Sequence, residues 1–497
     1  MHIYFNPQHP QLNSSVQDIL RAFFGKITVV TKPEEANLQI EFRIEPMEME
    51  LTVAVTLRGA RVAQTIENYQ TTQELHSPEL PNITRRLAKV AILEALQQLT
   101  GRNIGPWGIL TGIRPTKIVH RLLDQGIVPE DINTILAQDY RVASEKRQLL
   151  LEVTLRQRGF FHTVDQLSQK VGIYIGIPFC PTRCAYCSFP AYALTKWQKL
   201  VPDFLQALLR EIQVVGSALQ AHGVQVEHIY IGGGTPTSLS ATELEELLTV
   251  VNRSLVSPAT IEFTVEAGRP DTLHLDKLQV MKQMGVGRIS INPQSMNEQT
   301  LRAIGRDHTP QQVREKLQLA REVGFDNINM DLIIGLPGEG VQEVQKTLQE
   351  LGQLQPENLT VHTLAIKRAS ELNQSGHQFD ESAMEISTIM LSEVYQFAAD
   401  QGLVPYYLYR QKQMLGSLEN VGFALPGREC IYNIQMMEER QTIIGLGVGS
   451  GSKWVQKDLT LENTYNPKDI INYCQRIEEL ANKKQYSIQQ WSETSNS

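Results

Sequence analysis

The chain has 497 residues, long enough for two or three domains, and its 41% hydrophobic content can fill sizeable cores. A net charge of −8 speaks against a general polyanion grip, and no apolar run approaches the roughly 20 residues of a membrane span. Five cysteines are too few for a secreted disulfide scaffold, and the opening Met1-His2-Ile3-Tyr4 lacks a signal-peptide pattern, so a cytoplasmic, reducing setting is expected.

Residues 1–165 read as a mixed α/β domain. Residue pattern predicts strands over 37–44 and 49–58, a helix over 83–99 closed by Thr100-Gly101, and a second helical stretch over 130–158. Between the helices lies Thr111-Gly112-Ile113-Arg114-Pro115-Thr116-Lys117, whose Gly and Pro mark a turn that opens a helix.

The rhythm then changes. Short β-branched runs over 171–177, 226–231, 260–266, 288–292, 328–334 and 359–365 alternate with amphipathic stretches over 204–219, 243–254, 271–284, 310–323 and 341–354. Six β-α repeats predict a parallel sheet with outer helices, right-handed crossovers and barrel curvature, short of a full eight-unit barrel. A core domain over 166–375 and a mainly helical C-terminal region over 376–497, capping the substrate side, complete the expected organisation.

Polar residues fall where those strands end, which is the functional face of β/α barrels. After the first strand comes Pro178-Phe179-Cys180-Pro181-Thr182-Arg183-Cys184-Ala185-Tyr186-Cys187. Three thiolates spaced C-x3-C-x2-C can grip three irons of a [4Fe–4S] cube and leave the fourth open to a cosubstrate. A zinc site would want a fourth ligand nearby, yet no His lies between His162 and His222, and Cys430 and Cys474 are distant. A disulfide would strand one thiol of the three. Gly232-Gly233-Gly234-Thr235-Pro236 follows the second strand and exposes main-chain N–H groups, without the Gly-Lys-Ser/Thr of a phosphate loop. Glu266 closes the third strand, Asn292-Pro293-Gln294-Ser295 follows the fourth, and Asp331 sits in the fifth. Carboxylates with such apolar flanks need partners: either an arginine in a salt bridge, or the hydroxyl or ammonium groups of a ligand. Arg306, in Ile304-Gly305-Arg306-Asp307-His308, has the fork that meets a carboxylate.

On these residues the segment resembles the radical S-adenosylmethionine (SAM) superfamily. More narrowly it resembles the oxygen-independent coproporphyrinogen III oxidases, through Tyr174-Ile175-Gly176-Ile177-Pro178-Phe179-Cys180, Gly232-Gly233-Gly234-Thr235-Pro236-Thr237 and Asn329-Met330-Asp331-Leu332-Ile333-Ile334-Gly335-Leu336-Pro337. With Gly112-Ile113-Arg114-Pro115-Thr116-Lys117 the whole chain is similar to the HemZ-type branch. The resemblance implies an α/β fold with a partial (β/α)6 radical-SAM barrel, an N-terminal α/β domain and a C-terminal extension. It implies one [4Fe–4S] cluster on Cys180, Cys184 and Cys187, with SAM on the open iron. Tyr174, Tyr186, Gly233, Gly234 and Thr235 then surround the cluster and methionine end, Glu266, Gln294, Arg306 and Asp331 make polar SAM contacts, and Ala365 packs beside adenine. The implied activity is oxidative decarboxylation of a porphyrinogen propionate to a vinyl group, begun by a 5′-deoxyadenosyl radical and fed by a donor such as flavodoxin or ferredoxin.

Two positions depart from the family pattern. Phe189 stands where one branch has a fourth cysteine, and Gly176 where relatives often have His. The alternative is a haem chaperone of the HemW type, whose haem signature begins His-Asn; here the stretch is Tyr432-Asn433-Ile434-Gln435-Met436-Met437, without that axial ligand. An RNA-modifying radical enzyme fits less well with the acidic balance. Lys367-Arg368, Arg410 and Arg428 are candidate partners for substrate carboxylates, or solvated charges, and Tyr406-Tyr407-x-Tyr409 either lines a macrocycle site or fills a core.

Overall fold

The computed structural model describes residues 1–47, 50–59, 63–71, 80–102, 105–187, 191–365, 381–411 and 414–496. The chain forms two compact units: Met1–Glu152 with Arg410–Glu419, and Val153–Tyr409 with Asn420–Ser497. Phe189, Lys367 and Arg368 lie outside the described residues.

In the first unit, β1 (His2–Phe5), β2 (Thr28–Val29), β3 (Leu38–Met47), β4 (Glu50–Gly59) and β5 (Ala63–Thr71) form a sheet in the order β2-β1-β3-β4-β5. Leu12, Val16 and Ile19 of helix Pro10–Phe24 and Ala88, Ile92 and Leu96 of helix Leu80–Thr100 pack with Ile3, Ile40, Val53 and Val55. Helix Thr116–Asp124 opens after Pro115, at the turn the sequence marks. The stretch 130–158, expected as one helical run, is two helices, Pro129–Gln138 and Ser144–Gln157. Arg141 takes a left-handed φ of 56°, and the Val142 N–H returns to the Leu136 carbonyl at 3.0 Å, closing the first helix without a glycine. Gly108 backs against that turn, where a Cβ would collide with the Tyr140 and Arg141 carbonyl oxygens.

The second unit is built on six parallel strands: β6 (Lys170–Ile177), β9 (Gln225–Gly233), β10 (Glu262–Glu266), β11 (Arg288–Ser290), β12 (Ile328–Ile334) and β13 (Asn358–Thr363). Two-residue strands β7 (Phe179–Cys180) and β8 (Tyr192–Ala193) pair with each other beside them. Helices Val201–Ala221, Ala241–Leu255, Leu275–Gln283, Pro310–Val323 and Val341–Leu354 occupy the crossovers, as the repeats predict. The helix expected over 271–284 starts later, because Pro270–Thr272 makes a single 3₁₀ turn and His274 is extended.

The C-terminal region supplies helices Glu381–Asp400, Ile431–Glu438, Ile470–Gln475 and Ile477–Asn496, and also five strands. β14 (Val404–Tyr409) and β15 (Asn420–Ala424) run antiparallel on the β13 edge. β16 (Ile443–Gly447) joins β6 in parallel, followed by β17 (Gly451–Val455) and β18 (Leu461–Tyr465). The order β14-β15-β13-β12-β11-β10-β9-β6-β16-β17-β18 leaves β14 and β18 unpaired with each other, so the barrel stays open. Alternate strand residues face opposite ways. Ile173, Ile175, Ile229, Ile231, Met330 and Leu332 form buried core under the helices, while Tyr174, Tyr230, Glu266, Asp331, Thr360 and His362 turn inward.

Candidate functional site

The cysteine loop leaves β6 and is tied to the glycine loop that leaves β9. The Gly234 N–H donates to the Ile177 carbonyl and the Thr235 N–H to the Phe179 carbonyl, both at 2.7 Å. This approach needs glycine, since a Cβ on Gly234 would stand 2.5 Å from the Phe179 carbonyl oxygen and 2.9 Å from Cys180 Sγ. The Thr235 hydroxyl donates to Cys180 Sγ at 3.6 Å, and the Cys187 N–H donates to the Cys184 carbonyl at 3.1 Å. Burial pushes the Cys180 thiol up to about 11; Thr235 opposes the rise, and Cys187 and Cys184 add to it. Among the described residues no three His, Cys, Asp or Glu side chains converge on one ion. A cubane asks for a different arrangement, with each thiolate on its own iron, and bound metal would draw the proton off so buried a thiol.

Arg269, absent from the sequence-based candidates, lies against this loop. Its Nη1 donates to Cys184 Sγ at 3.6 Å and its Nη2 to the Thr182 hydroxyl at 3.2 Å. Asp271 holds the same guanidinium through Nε and Nη2, each at 2.8 Å.

Among the described residues the two acids expected at the rim have no arginine partner. Glu266 Oε1 accepts from the Tyr230 hydroxyl at 2.5 Å, and burial pushes its carboxyl up to about 7, against the Tyr230 bond and with the charge of Asp331. Asp331 accepts from Asn292 Nδ2 and Asn329 Nδ2, both at 2.7 Å, with His362 Nε2 at 3.7 Å. Tyr409 meets the other ring nitrogen of His362 at 3.2 Å. Gln294 takes a left-handed φ of 64° and bridges to β12: its N–H donates to the Asp331 carbonyl and its carbonyl accepts from Ile333, both at 2.9 Å. Arg306 is buried, donates from Nη2 to the Asn292 carbonyl at 3.4 Å, and among the described residues leaves its Nε without a partner. A buried guanidinium with a free N–H beside a thiol loop suits the carboxylate of an amino-acid ligand.

The remaining candidates divide. Tyr186 packs on the cluster of Leu301, Ile304, Ile333, Leu336 and Leu364, and Ala365 is buried just past β13. Tyr174 stacks on Tyr432 with ring centroids 5.7 Å apart, and Tyr432 on Tyr230 at 4.2 Å. At Gly176 a Cβ would stand 2.6 Å from Ser450 Oγ, so Ser450 fills the space that a side chain would need. Arg410 is not available to a substrate: it is buried in the first unit, donating to the carbonyls of Leu418, Leu110 and Ser417 and lying 5.2 Å from the Trp107 ring centroid. Arg428 reaches Asp326 at 3.2 Å, beside the start of β12 and away from the rim. Tyr406 and Tyr407 sit in a buried cluster with Cys430 and Tyr432, so they fill core.

Comparison with known proteins follows the same lines. Residues 174–351 match the radical SAM superfamily. The chain is 42% identical to the oxygen-independent coproporphyrinogen-III oxidase-like protein HemZ of Bacillus subtilis, over 95% of this chain and 95% of that one. It is 31% identical to the haem chaperone HemW of Bacillus subtilis, over 56% of this chain and 69% of the relative. Against HemW of Escherichia coli the identity is 30%, over 61% and 75%. Among solved structures, coproporphyrinogen III oxidase (HemN) from Escherichia coli aligns with a TM-score of 0.52 at 23% identity, over 66% of this chain and 73% of that one.

Proposed function

The chain belongs to the radical SAM superfamily, in the HemZ-type branch of the oxygen-independent coproporphyrinogen III oxidase family, and on that premise we propose that it oxidatively decarboxylates coproporphyrinogen III to protoporphyrinogen IX. The observation that carries this reading is the extent of the likeness to HemZ, which runs through both units, whereas the likeness to the HemW chaperones leaves much of the chain unmatched.

In this reading Cys180, Cys184 and Cys187 hold three irons of a [4Fe–4S] cluster. When bound, the cluster and SAM supply a 5′-deoxyadenosyl radical that removes hydrogen from a substrate propionate. The chain's own part is to bind, orient and exclude water. Arg306 offers its free Nε–H to the SAM carboxylate, Glu266 faces the ammonium group, and Asp331 accepts from ribose hydroxyls. Gly233, Gly234 and Thr235 open the main chain to the ligand, Gln294 presents its bent backbone, and Tyr174, Tyr186 and Ala365 supply apolar walls. A cytoplasmic reductant such as flavodoxin or ferredoxin completes the cycle.

The haem-chaperone alternative draws support from the HemW relatives. Against it stands Tyr432, which replaces the axial histidine and is buried between Tyr174 and Tyr230. The deciding experiment is anaerobic reconstitution with iron and sulfide, followed by SAM and coproporphyrinogen III. Protoporphyrinogen together with 5′-deoxyadenosine supports the enzyme; SAM cleavage without decarboxylation, with stable haem binding, would replace it by the chaperone.

A further inference from the structure

Arg269 follows β10 in Ala267-Gly268-Arg269-Pro270-Asp271, a stretch that reads as a plain turn. Its side chain is only 4% exposed, and a buried guanidinium is costly unless its donors are met. Two are met by Asp271, which takes Nε and Nη2 at 2.8 Å. Two more go to the cysteine loop: Nη2 to Thr182 Oγ1 at 3.2 Å and Nη1 to Cys184 Sγ at 3.6 Å. Asp307, on the next crossover, stands 3.7 Å from Nη2 and is well exposed. A charge has been placed inside the protein with one of its N–H groups aimed at a thiol.

We propose that Arg269 is a positioning residue that sets the reduction potential of the iron–sulfur cluster, through its N–H and fixed positive charge at the Cys184 sulfur. Hydrogen bonds to ligand sulfurs and net charge near the cluster are two of the levers that move such potentials. Reduction adds an electron, so a cationic donor at a ligand sulfur stabilises the reduced state more than the oxidised one and raises the potential. Asp271 opposes this by partly cancelling the charge. The inference rests on the cluster reading of the cysteines alone and does not depend on which substrate is turned over.

The test is an anaerobic redox titration of the reconstituted full chain, followed by electron paramagnetic resonance, for the wild type, Arg269→Met and Asp271→Asn. At the wild-type midpoint, Arg269→Met is expected to lower the reduced-to-oxidised ratio about tenfold, or about 59 mV for a one-electron couple. Asp271→Asn is expected to shift the midpoint the other way by a smaller amount, with iron and sulfide content unchanged. A merely structural arginine would not give shifts of opposite sign. If Arg269→Met takes up no iron, the direction of the Asp271→Asn shift decides alone. Midpoints unchanged in loaded variants, or shifted in the same direction, would overturn the inference. A wild-type chain that takes up no iron would overturn the cysteine reading first, and this inference with it.

Discussion

The two ends of the parallel sheet treat buried charge in opposite ways. At the N-terminal end Glu227 of β9 is enclosed by His162 Nε2 at 2.6 Å, Gln441 Nε2 at 2.9 Å and Lys170 Nζ at 3.0 Å. Burial pushes that carboxyl up, but the His162 and Lys170 bonds outweigh it and hold it down to about 2. At the C-terminal end Glu266 of β10 has one tyrosine hydroxyl and a backbone N–H, and rises to about 7, while the Arg306 Nε has no partner among the described residues. Two glutamates on neighbouring strands thus serve two ends: one is saturated and holds the sheet together, the other is left short of partners that a ligand would supply.

That contrast breaks most sharply at the cysteines. Cys184→Ser should abolish cluster assembly and SAM cleavage outright while leaving the far-UV circular dichroism unchanged; retained activity would refute the ligand assignment. Next comes the saturated end. Glu227→Ala leaves Lys170 and His162 without their anion, so a loss of roughly 3–5 kcal/mol is expected from breaking a buried pair, read as a fall in denaturation midpoint. The sign with pH follows from the lowered carboxyl. Its stabilisation is full above its unfolded value near about 4.5 and is lost as pH falls from there towards about 2. Arg306→Met should behave in the opposite way. SAM affinity should fall roughly ten- to hundredfold for a lost charge-assisted contact, with stability unchanged or raised. If Arg306→Met unfolds the chain and leaves the affinity of the survivors intact, the rim is structural and the contrast fails.

Much of the rim was legible because strand ends announce themselves. Glu266 and Asp331 interrupt apolar runs, and the cysteines and glycines follow runs of Ile and Val. What stayed hidden depends on distant partners. Arg269 reads as a turn residue, and its meeting with Cys184 spans 85 positions of sequence. β16 enters the sheet beside β6 only after the whole crossover series, so its Gly445-Leu446-Gly447 could not be placed by periodicity. Arg410 reads as a candidate partner for substrate carboxylates or as a solvated charge, yet three main-chain carbonyls take it into the first unit. The break at Arg141 is set by a left-handed residue that is not glycine, which local propensity does not foresee.

The smallest expected effect probes the proton on Glu266. An acid raised in the folded state keeps a proton that the unfolded chain loses, so without ligand stability falls as pH rises from about 4.5 to about 7 and then levels. Ligand binding should run the other way. An ammonium group prefers the ionised carboxylate, so SAM affinity should climb as pH rises to about 7, short of the range near about 7.7–8.0 in which an α-amino group loses its own proton. One unit below that value only about a tenth of the carboxyl is ionised, which weakens binding about tenfold relative to the ionised carboxylate. Tyr230, Asp331 and the Gly233 N–H are the groups that face Glu266. Glu266→Gln keeps the shape but has no proton to lose, so its affinity should be low and flat from about pH 6 to about pH 7. Equilibrium dialysis of SAM with the reconstituted chain measures both curves. A Gln variant that keeps the wild-type slope would move the titration elsewhere and leave Glu266 as one more satisfied carboxyl, like Glu227 at the other end.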